Sequence, residues 1–511
     1  MTFISYEFLI FLAVSLVLYY GSKKRGKTAA LFAVSTVFLW LCGGIKTLVI
    51  YGISAIMVWA GALWIEKLQG DAKDVRKKVK PAKAVYGIVV VILLALLAGF
   101  QYWNFWGYTM EELHWLTGTQ SDWTPVSVTA PVAISFYTLT LIGYLTEVYW
   151  ESIKAEKSLV RLALFGGFFP QMAMGPIARY DRLSVSLFGE NKWDWNQFLS
   201  GLLRMTWGFF QKLVISERLA MAVNTIYGDY ETYTGSFLVF AAVCFAFQLY
   251  TDFAGAIDIA LGVSEMFGVT LEENFCQPFY SRTVAEFWRR WHITLGGWFK
   301  DFVMYPLQKT VPFQKMGKWG RKTFGKKQGK KVPAIVSLLI VWFLLGLWHG
   351  GKWTFIIGSG LYHAVLMIMA LLAEPAVKQF YKKTGIRENH PLWAGMQRVR
   401  TFILAAVGFV LFRSESLSMA WGIFTNMASP NLGLFSEEGI SSLGLLWADW
   451  AVLAVSMALL WLVSYQKEHG RKKTWSSEQK TAAIFGLVFA TLIFGWYGKG
   501  YDASAFIYSQ F

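Results

Sequence analysis

Two histidines that follow tryptophans in apolar or aromatic surroundings are the first candidates for chemistry. His349 ends an apolar run within residues 346–355, which read Gly-Leu-Trp-His-Gly-Gly-Lys-Trp-Thr-Phe. His292 follows Trp291 in an aromatic and charged stretch, and the chain has only six histidines in all. An ionisable side chain at membrane depth is costly, and imidazole transfers protons near neutral pH. The pattern therefore predicts a histidine-dependent enzyme inside a membrane.

The residues after His349 favour catalysis over packing. Gly350 and Gly351 have no Cβ, so backbone or ligand can come close. The simpler interpretation of His349 is a hydrogen-bonded core histidine at the end of a span, and that of His292 is packing. His363 is predicted to be structural, supporting the site or a helix contact.

The segment 284–302 is predicted to be one helix around His292. Its apolar positions are spaced by four, four, three and four residues, which gives one stripe: Phe287, Trp291, Leu295, Trp298 and Phe302. His292 falls on another face of this predicted helix, one turn from Trp288 and Arg289, where its side chain can point into a cavity. The pair Gly296 and Gly297 is expected to weaken or bend this helix.

Charged residues near these histidines have two interpretations each. Arg289 and Arg290 can neutralise a phosphate or carboxylate, or can snorkel toward lipid headgroups. Asp252 and Asp258 lie in an apolar run and need partners. Asp252 either orients a histidine or pairs with one of these arginines, or it belongs to a purely structural ion pair.

The remaining motif search narrows the chemistry. The chain contains no G-x-S-x-G elbow, P-loop or zinc-type spacing, so no metal is predicted. The simplest scheme has His349 deprotonate a hydroxyl that attacks a thioester carbonyl. Tryptophan N–H groups or His292 would then support the oxyanion.

Composition indicates what positions these residues. Of the 511 residues, 55% are hydrophobic, 17% are aromatic and only 16% are charged, against about 25% charged in soluble domains. Apolar stretches close to 20 residues long match a hydrocarbon core about 30 Å thick. The sequence predicts an all-α polytopic membrane protein, with residues 1–511 as a single transmembrane domain.

The net charge of +16 does not indicate nucleic-acid binding, because the basic residues cluster between the apolar runs. Basic loops of this kind mark the cytoplasmic side and attract anionic lipid. The predicted cytoplasmic loops are 21–27, 67–83, 151–161, 309–331, 376–398 and 466–480.

About 11 to 13 transmembrane helices are expected, with both termini outside. The predicted spans are 3–20, 28–43, 46–66, 84–102, 129–150, 203–226, 235–262, 333–348, 353–373, 399–413, 447–465 and 481–497. The segments 165–177 and 274–302 do not fit simple spans. They are predicted to be re-entrant pieces that build a pocket, because irregular backbone at membrane depth needs protein or a wet cavity around it.

An ordered series of motifs resembles the membrane-bound O-acyltransferase superfamily, and within it the bacterial alginate O-acetylase branch. The motifs are Pro131–Phe136, Phe169–Arg179, Tyr250–Gly255, Glu273–Phe275, Glu286–His292 and Gly346–Gly350, and the motif-bearing core covers about 131–363. The chain departs from the pattern at residues after Gly255, at Pro306–Gln308 and at Ala364. These departures lie near the chemistry but not at its acid–base groups, and they leave the acceptor open.

The resemblance implies a helical fold pierced by a tunnel between a cytoplasmic donor and an outer acceptor. His349 matches the principal catalytic histidine of the family, and His292 matches the second. The residues expected to line the substrate path are Trp348, Trp288, Arg289, Arg290, Asp252, Tyr250 and Asn274, with His363 and Asp258 in supporting positions.

The resemblance also implies the partners of the reaction. No permanently bound cofactor is expected. Acetyl would come from a thioester, either acetyl-CoA or an acyl-carrier protein. It would move toward an extracellular polysaccharide, often through a secreted or membrane-anchored partner acetyltransferase, at a bacterial inner membrane.

Two alternatives remain open at this stage. D-alanyl transfer to teichoic acids uses the same fold and both Trp-His pairs. A non-enzymatic polysaccharide or lipid transporter fits the composition, but it gives no reason for two Trp-His sites and would be expected to show an internal repeat.

Overall fold

The structure is a computed structural model that describes residues 1–23, 26–71, 75–470, 475–497 and 507. Its described residues form helices joined by short turns. One isolated antiparallel bridge, between Phe275 and Trp291, is the only strand-like pairing within those ranges. The all-α architecture predicted from composition is confirmed.

The amino-terminal helices include two spans joined without a loop. They are α1 (Tyr6–Gly21), α2 (Lys27–Asp71), α3 (Val75–Gln101), α4 (Phe105–Thr117) and α5 (Ile134–Tyr149). α2 is bent at Gly44, whose φ of 64° lies outside helical values. The two spans predicted at 28–43 and 46–66 are therefore the two arms of one bent helix.

The central helices hold all the motifs except Pro131–Phe136, which lies at the start of α5. They are α6 (Leu159–Gly167), α7 (Phe169–Met174), α8 (Tyr180–Leu187), α9 (Trp195–Phe210), α10 (Glu217–Gly228), α11 (Ser236–Met266), α12 (Val284–Arg290), α13 (Ile293–Phe299), α14 (Tyr305–Lys309), α15 (Val311–Gly329) and α16 (Val332–Trp348). π-helical segments at Gln211–Ser216 and Lys300–Met304 and a 3₁₀ turn at Pro278–Tyr280 interrupt them.

The carboxy-terminal helices complete the bundle. They are α17 (Trp353–Phe355), α18 (Tyr362–Thr384), α19 (Pro391–Arg413), α20 (Leu417–Met427), α21 (Glu437–Ser441), α22 (Trp447–Glu468) and α23 (Ser477–Phe494). A π-helical segment, Ile356–Leu361, joins α17 to α18, and a 3₁₀ turn lies at Gly433–Phe435.

All twelve predicted spans fall on helices, although they differ in length and polarity. By length and composition, six helices in the described part of the chain can cross a membrane, or seven if α15 and α16 are taken as one broken span. The other predicted spans coincide with shorter or more polar helices, such as α1 and α5. The chain is a multi-pass membrane protein.

The basic segment 309–331, predicted to be a loop, is instead mostly the helix α15. Lysine and glutamine are good helix formers, so a basic sequence outside the bilayer need not be a loop. α15 meets α16 at 92°, and most of its side chains are exposed. This geometry indicates a basic helix that lies along the membrane surface beside a crossing helix.

α11 is the central helix of the bundle. Most of its span is buried, whereas most of α22 is exposed. Glycines at the contact between α9 and α11 allow this burial of α11, because small residues let two helix backbones come close together. A Cβ on Gly208 would lie 2.5 Å from the Gly255 carbonyl oxygen, and one on Gly201 would lie 2.5 Å from that of Gly262. α9 is thereby pressed against α11, which carries Tyr250, Asp252 and Asp258.

Candidate functional site

His349 lies in the turn that follows α16. The helix ends at Trp348, and the next glycine, Gly350, has a φ of 134°, which side-chain-bearing residues rarely adopt. A Cβ there would lie 3.2 Å from the Phe355 ring, and one on Gly351 would lie 3.2 Å from Phe105. The close approach predicted for these glycines is made by the protein itself, by the ring of Phe355 at Gly350 and by Cα and Cβ of Phe105 at Gly351.

The two histidines from the Trp-His pairs come together around one indole. The Trp348 ring centroid lies 5.1 Å from that of His349 and 5.9 Å from that of His292. His349 and His292 are each only 3% exposed. The structure thus brings together two imidazoles that are far apart in the sequence.

His292 lies at a break in the helix that was predicted for 284–302. α12 ends at Arg290, Trp291 is extended, and His292 has a φ of 45° and a ψ of 53°. The prediction of one continuous helix is wrong, and the break precedes the glycines expected to cause a bend. The apolar stripe is nevertheless buried, because the hydrophobic spacing is kept on either side of the break.

Backbone pairing with the segment 274–276 explains this break. The Ile293 N–H donates to the Asn274 carbonyl at 3.0 Å, and the Cys276 N–H donates to the Arg290 carbonyl at 2.9 Å. These groups are paired across the break, so the left-handed conformation of His292 leaves few backbone groups unsatisfied.

The side chain of Asn274 fixes the orientation of His292. Its Oδ1 accepts from the Thr294 backbone N–H at 3.1 Å and lies 3.2 Å from Nδ1 of His292. A backbone N–H can only donate, so the atom it faces is the amide oxygen and the imidazole must present an N–H at Nδ1. In the neutral ring, the basic nitrogen is then Nε2.

Thr294 connects this site to the proline- and glycine-rich segment. Its hydroxyl accepts from the Ile177 N–H at 3.1 Å and lies 3.0 Å from Oδ1 of Asn274. A cavity of about 360 Å³ is lined by both Ile177 and Thr294, and by Arg179 and Asp301 at its charged rim. The two segments that did not fit simple spans therefore border one pocket, as predicted from their irregular sequences.

The two buried carboxylates of α11 form ion pairs with α9 and the π-helical segment after it. Asp252 lies 2.6 Å from Nζ of Lys212, which also contacts Glu217 at 2.5 Å. Asp252 thus pairs with neither Arg289 nor Arg290. The structural ion pair that was left open is the arrangement observed.

Asp258 supports the site through an arginine. It accepts from Nε of Arg204 at 2.9 Å, and the same guanidinium makes two bonds to Glu273, at 2.7 and 2.6 Å. Glu273 immediately precedes Asn274. Arg204 therefore ties the segment that orients His292 to the central helix.

The arginines after Trp288 lie away from the two imidazoles. Arg289 is exposed. Arg290 pairs with Glu468 at 2.5 Å and with Glu286 at 2.9 Å. The interpretation as a substrate clamp has no geometric support for Arg290, whose charge is already paired within the protein.

His363 is fully buried and packs against aromatic rings. Its ring centroid lies 4.7 Å from that of Trp288 and 6.0 Å from that of Trp342. A Cβ on Gly408 would come within 2.4 Å of its Nε2. Trp288 thus lies beside His363, and the packing role predicted for His363 fits these contacts.

Sequence reasoning did not select Arg204, Lys212 or Thr294. Lys212 had a usable signal, because a lysine inside the apolar run 203–226 needs a buried partner. Arg204 had the same signal at the edge of that run. Thr294 had none, since its importance comes only from its contacts with Asn274 and Ile177.

The site can therefore support proton transfer between a bound hydroxyl and a buried imidazole. Trp348, whose indole lies beside both imidazoles, has a buried Nε1 that can donate a hydrogen bond. Ile293, the residue after His292, lines the cavity together with Thr294.

Comparison with known proteins assigns this arrangement to a class. Residues 28–316 match the family model described as MBOAT, membrane-bound O-acyltransferase family. This match covers more than half of the 511 residues.

Curated relatives extend the similarity over most of the chain. The probable alginate O-acetylase of Pseudomonas aeruginosa is 31% identical over 458 residues, which cover 89% of this chain and 80% of that protein. The peptidoglycan O-acetyltransferase of Helicobacter pylori is 26% identical and covers 78% and 73%. The teichoic acid D-alanyltransferase of Bacillus subtilis is 27% identical and covers 72% and 86%.

Proposed function

Because the chain belongs to the membrane-bound O-acyltransferase family and is a membrane acyltransferase, we propose that it moves acetyl from a cytoplasmic thioester to an extracellular polysaccharide. The observation that supports this most strongly is the placement of His349 and His292 around the Trp348 indole. Two buried imidazoles with a shared N–H donor suit acyl transfer to a hydroxyl.

His349 is the general base in the proposed reaction. It takes the proton from the acceptor hydroxyl while that oxygen forms a bond to the thioester carbonyl carbon. The tetrahedral intermediate then collapses, the carbon–sulfur bond breaks, and the thiolate takes the proton back from the imidazolium. One acetyl group passes from sulfur to oxygen, and the histidine ends neutral, as it began.

The oxyanion of this intermediate needs a donor. Nε1–H of Trp348 can serve in every protonation state, because an indole nitrogen is a donor only. Neutral His292 has its N–H committed to Asn274. We therefore propose that His292 is a second proton acceptor, which positions the hydroxyl. Nε1–H of Trp348 is proposed to stabilise the oxyanion.

The donor is proposed to enter through the cavity beside Thr294. Arg179 and Arg182 line it and pair with carboxylates, Arg179 with Glu147 and Asp301 and Arg182 with Glu272. A phosphate group of coenzyme A or of a carrier-protein arm is proposed to replace one of these carboxylates as the arginine's partner. Asp301 of the cavity lining lies in the π-helical segment that leads into α14 and α15, and the basic segment 309–331 is expected to be cytoplasmic. This placement supports transfer outward across a bacterial inner membrane.

The acceptor is proposed to be a cell-surface polysaccharide, reached directly or through a secreted or membrane-anchored acetyltransferase. The relative from Pseudomonas aeruginosa is named for alginate and the one from Helicobacter pylori for peptidoglycan. Both names describe O-acetylation of a polymer outside the cytoplasm, which favours acetyl as the group moved here.

The decisive experiment compares ester-linked acetate on surface polysaccharide in cells with the native chain and with His349→Ala, at matched protein levels. Loss of acetate with normal polymer export is expected. Unchanged acetate would refute a histidine-dependent transferase, whereas failed export with normal acetylation would favour a transporter.

D-alanyl transfer to teichoic acids is the second candidate, since a D-alanyltransferase is similar over 72% of this chain. Ester-linked D-alanine measured in the same cells separates the two. Loss of D-alanine with unchanged acetate in His349→Ala would replace the acetyl proposal.

A further inference from the structure

A second cavity lies on the other side of Tyr250 from the histidines. It has a volume of about 560 Å³ and is bounded by α11, the 3₁₀ turn Pro278–Tyr280, α19 and α22. Its apolar lining is formed by Phe247, Phe279, Val399, Met457, Leu460 and Trp461. We call it the lateral groove.

The lateral groove opens toward lipid. Val399 is 60% exposed and Trp461 is 58% exposed, and both are on helices long and apolar enough to cross a membrane. Large apolar side chains exposed on spanning helices face acyl chains. A ligand in the groove can therefore enter sideways from the bilayer.

One wall of the groove carries a positive charge that no carboxylate of the described residues neutralises. Nε of Arg398 donates to the Tyr280 carbonyl at 3.3 Å, and its guanidinium lies 5.5 Å from the Tyr280 ring centroid. Within the described ranges, Arg398 has no ion-pair partner. Arg282 and Arg400 lie nearby and are also satisfied by neutral oxygens: Arg400 donates to the Arg282 carbonyl at 2.7 Å, and Arg282 donates to Asn389 at 2.9 Å.

The nearest acids do not compensate this charge. Glu468 and Glu286 both pair with Arg290, at 2.5 and 2.9 Å. Arg398 in the lining, with Arg282 and Arg400 beyond it, thus gives the groove a positive field, which suits an anion.

Two further polar atoms in the lining need hydrogen-bond partners. Oε1 of Gln277 and Oη of Tyr280 are buried and have no partner among the described residues. Buried polar groups are almost always hydrogen-bonded. An amide oxygen that accepts and a phenol that donates, beside an arginine, match a headgroup that has both hydroxyls and a phosphate.

The depth of the groove fits a lipid headgroup. Arg398 lies in the second turn or so of α19, about 10 Å from its start, and Trp461 lies two turns before the end of α22. Both helix ends lead into basic loops on the side predicted to be cytoplasmic. Basic pockets between helices on that side bind anionic headgroups, and tryptophans mark the headgroup level.

From these observations we propose that the lateral groove is a binding site for an anionic glycerophospholipid, with an acyl chain in the apolar groove and the phosphate at Arg398. The inference goes beyond the acyl-transfer function and does not depend on it. The Tyr250 ring lies between the groove and Trp291, and the centroids of these two rings are 6.1 Å apart. A lipid in the groove would therefore pack against Tyr250, which in turn packs against the residue before His292.

Native mass spectrometry of the full chain tests the proposal. The protein is extracted from vesicles of equal phosphatidylglycerol and phosphatidylcholine, and retained lipids are counted. Arg398→Gln removes the charge, and Gly395→Leu fills the groove from a position where an added Cβ meets nothing within 4 Å. Gly395→Ala leaves the groove open, and Arg321→Gln removes an exposed charge on α15; these are the matched controls.

The native chain is expected to retain one phosphatidylglycerol in preference to phosphatidylcholine. Arg398→Gln and Gly395→Leu should each lower that retention about tenfold. Arg398→Gln removes a charge-assisted hydrogen bond to the lipid phosphate, and Gly395→Leu fills the space of the lipid acyl chain. Both controls should match the native chain. Equal loss in Arg321→Gln, full retention in Arg398→Gln, or equal retention of the two lipids would each overturn the site. Displacement by an equal concentration of inorganic phosphate would assign it to a free anion instead.

Discussion

Oδ1 of Asn274 lies 3.2 Å from Nδ1 of His292, and the same oxygen accepts the backbone N–H of Thr294. One amide group therefore sets both the tautomer of the imidazole and the start of the helix that follows it. The proposed role of His292 and the local backbone depend on the same side chain, which makes Asn274 the most informative residue to change after the histidines themselves.

Asn274→Leu should lower acyl transfer by about 10- to 100-fold, because a correctly oriented base contributes about 10²–10⁴-fold to the rate. Asn274→Asp keeps an acceptor for both N–H groups and should retain more activity. The measurement is the initial rate of acetyl transfer in membrane vesicles, normalised to folded protein. Equal rates for the two variants would show that the hydrogen bond to His292 does not matter.

His349→Ala should reduce the rate more severely than His292→Ala. His349 is the proposed proton acceptor for the reacting hydroxyl, whereas His292 positions that hydroxyl beside it. Single-turnover rates with a thioester donor distinguish the two effects, with His363→Phe as a control for loss of a buried imidazole outside the reaction. A His292→Ala enzyme at full rate would reduce that residue to packing.

Lys212→Met should destabilise the protein by about 3–5 kcal/mol, because it leaves buried carboxylates without their cation. The double variant with Asp252→Asn should recover part of the loss by removing one of those charges. Thermal unfolding in detergent, followed by intrinsic tryptophan fluorescence, reports this. If the double variant unfolds at a lower temperature than the single one, the buried ion pair is not the cause.

Gly350→Ala should reduce both stability and activity. A φ of 134° costs a residue with a Cβ about 1–3 kcal/mol, and relaxation of that strain would turn His349 away from Trp348. Gly87→Ala is the matched control, since a Cβ there meets nothing within 4 Å. Thermal unfolding and transfer rate are measured together, and a fully active Gly350→Ala would show that the turn tolerates a side chain.

The sequence predicted the elements better than their interruptions. Apolar length located the helices, and the spacing of Phe287, Trp291 and Leu295 correctly marked a buried stripe. The break at His292 could not be predicted, because its cause is backbone pairing with residues 274–276, which are distant in sequence and invisible to local periodicity.

The ion-pair partners of the buried charges could not be predicted from the sequence either. The need of Asp252 for a partner followed from burial alone, but its choice of Lys212 depends on how α9 and the π-helical segment after it pack on α11. Close glycine contacts such as Gly208 on Gly255 set that packing. Sequence indicates which groups must be paired, and the three-dimensional fold decides with which.

The right angle between α15 and α16 sets a depth for the reaction. The exposed basic side chains of α15 indicate that one end of α16 lies at the membrane surface, and the 17 residues of α16 rise only about 25 Å. The hydrocarbon layer is about 30 Å thick. His349 is thus expected to lie several ångströms below the opposite surface. Under the proposed function, the acceptor hydroxyl has to reach below that surface, and a thicker bilayer would increase the distance.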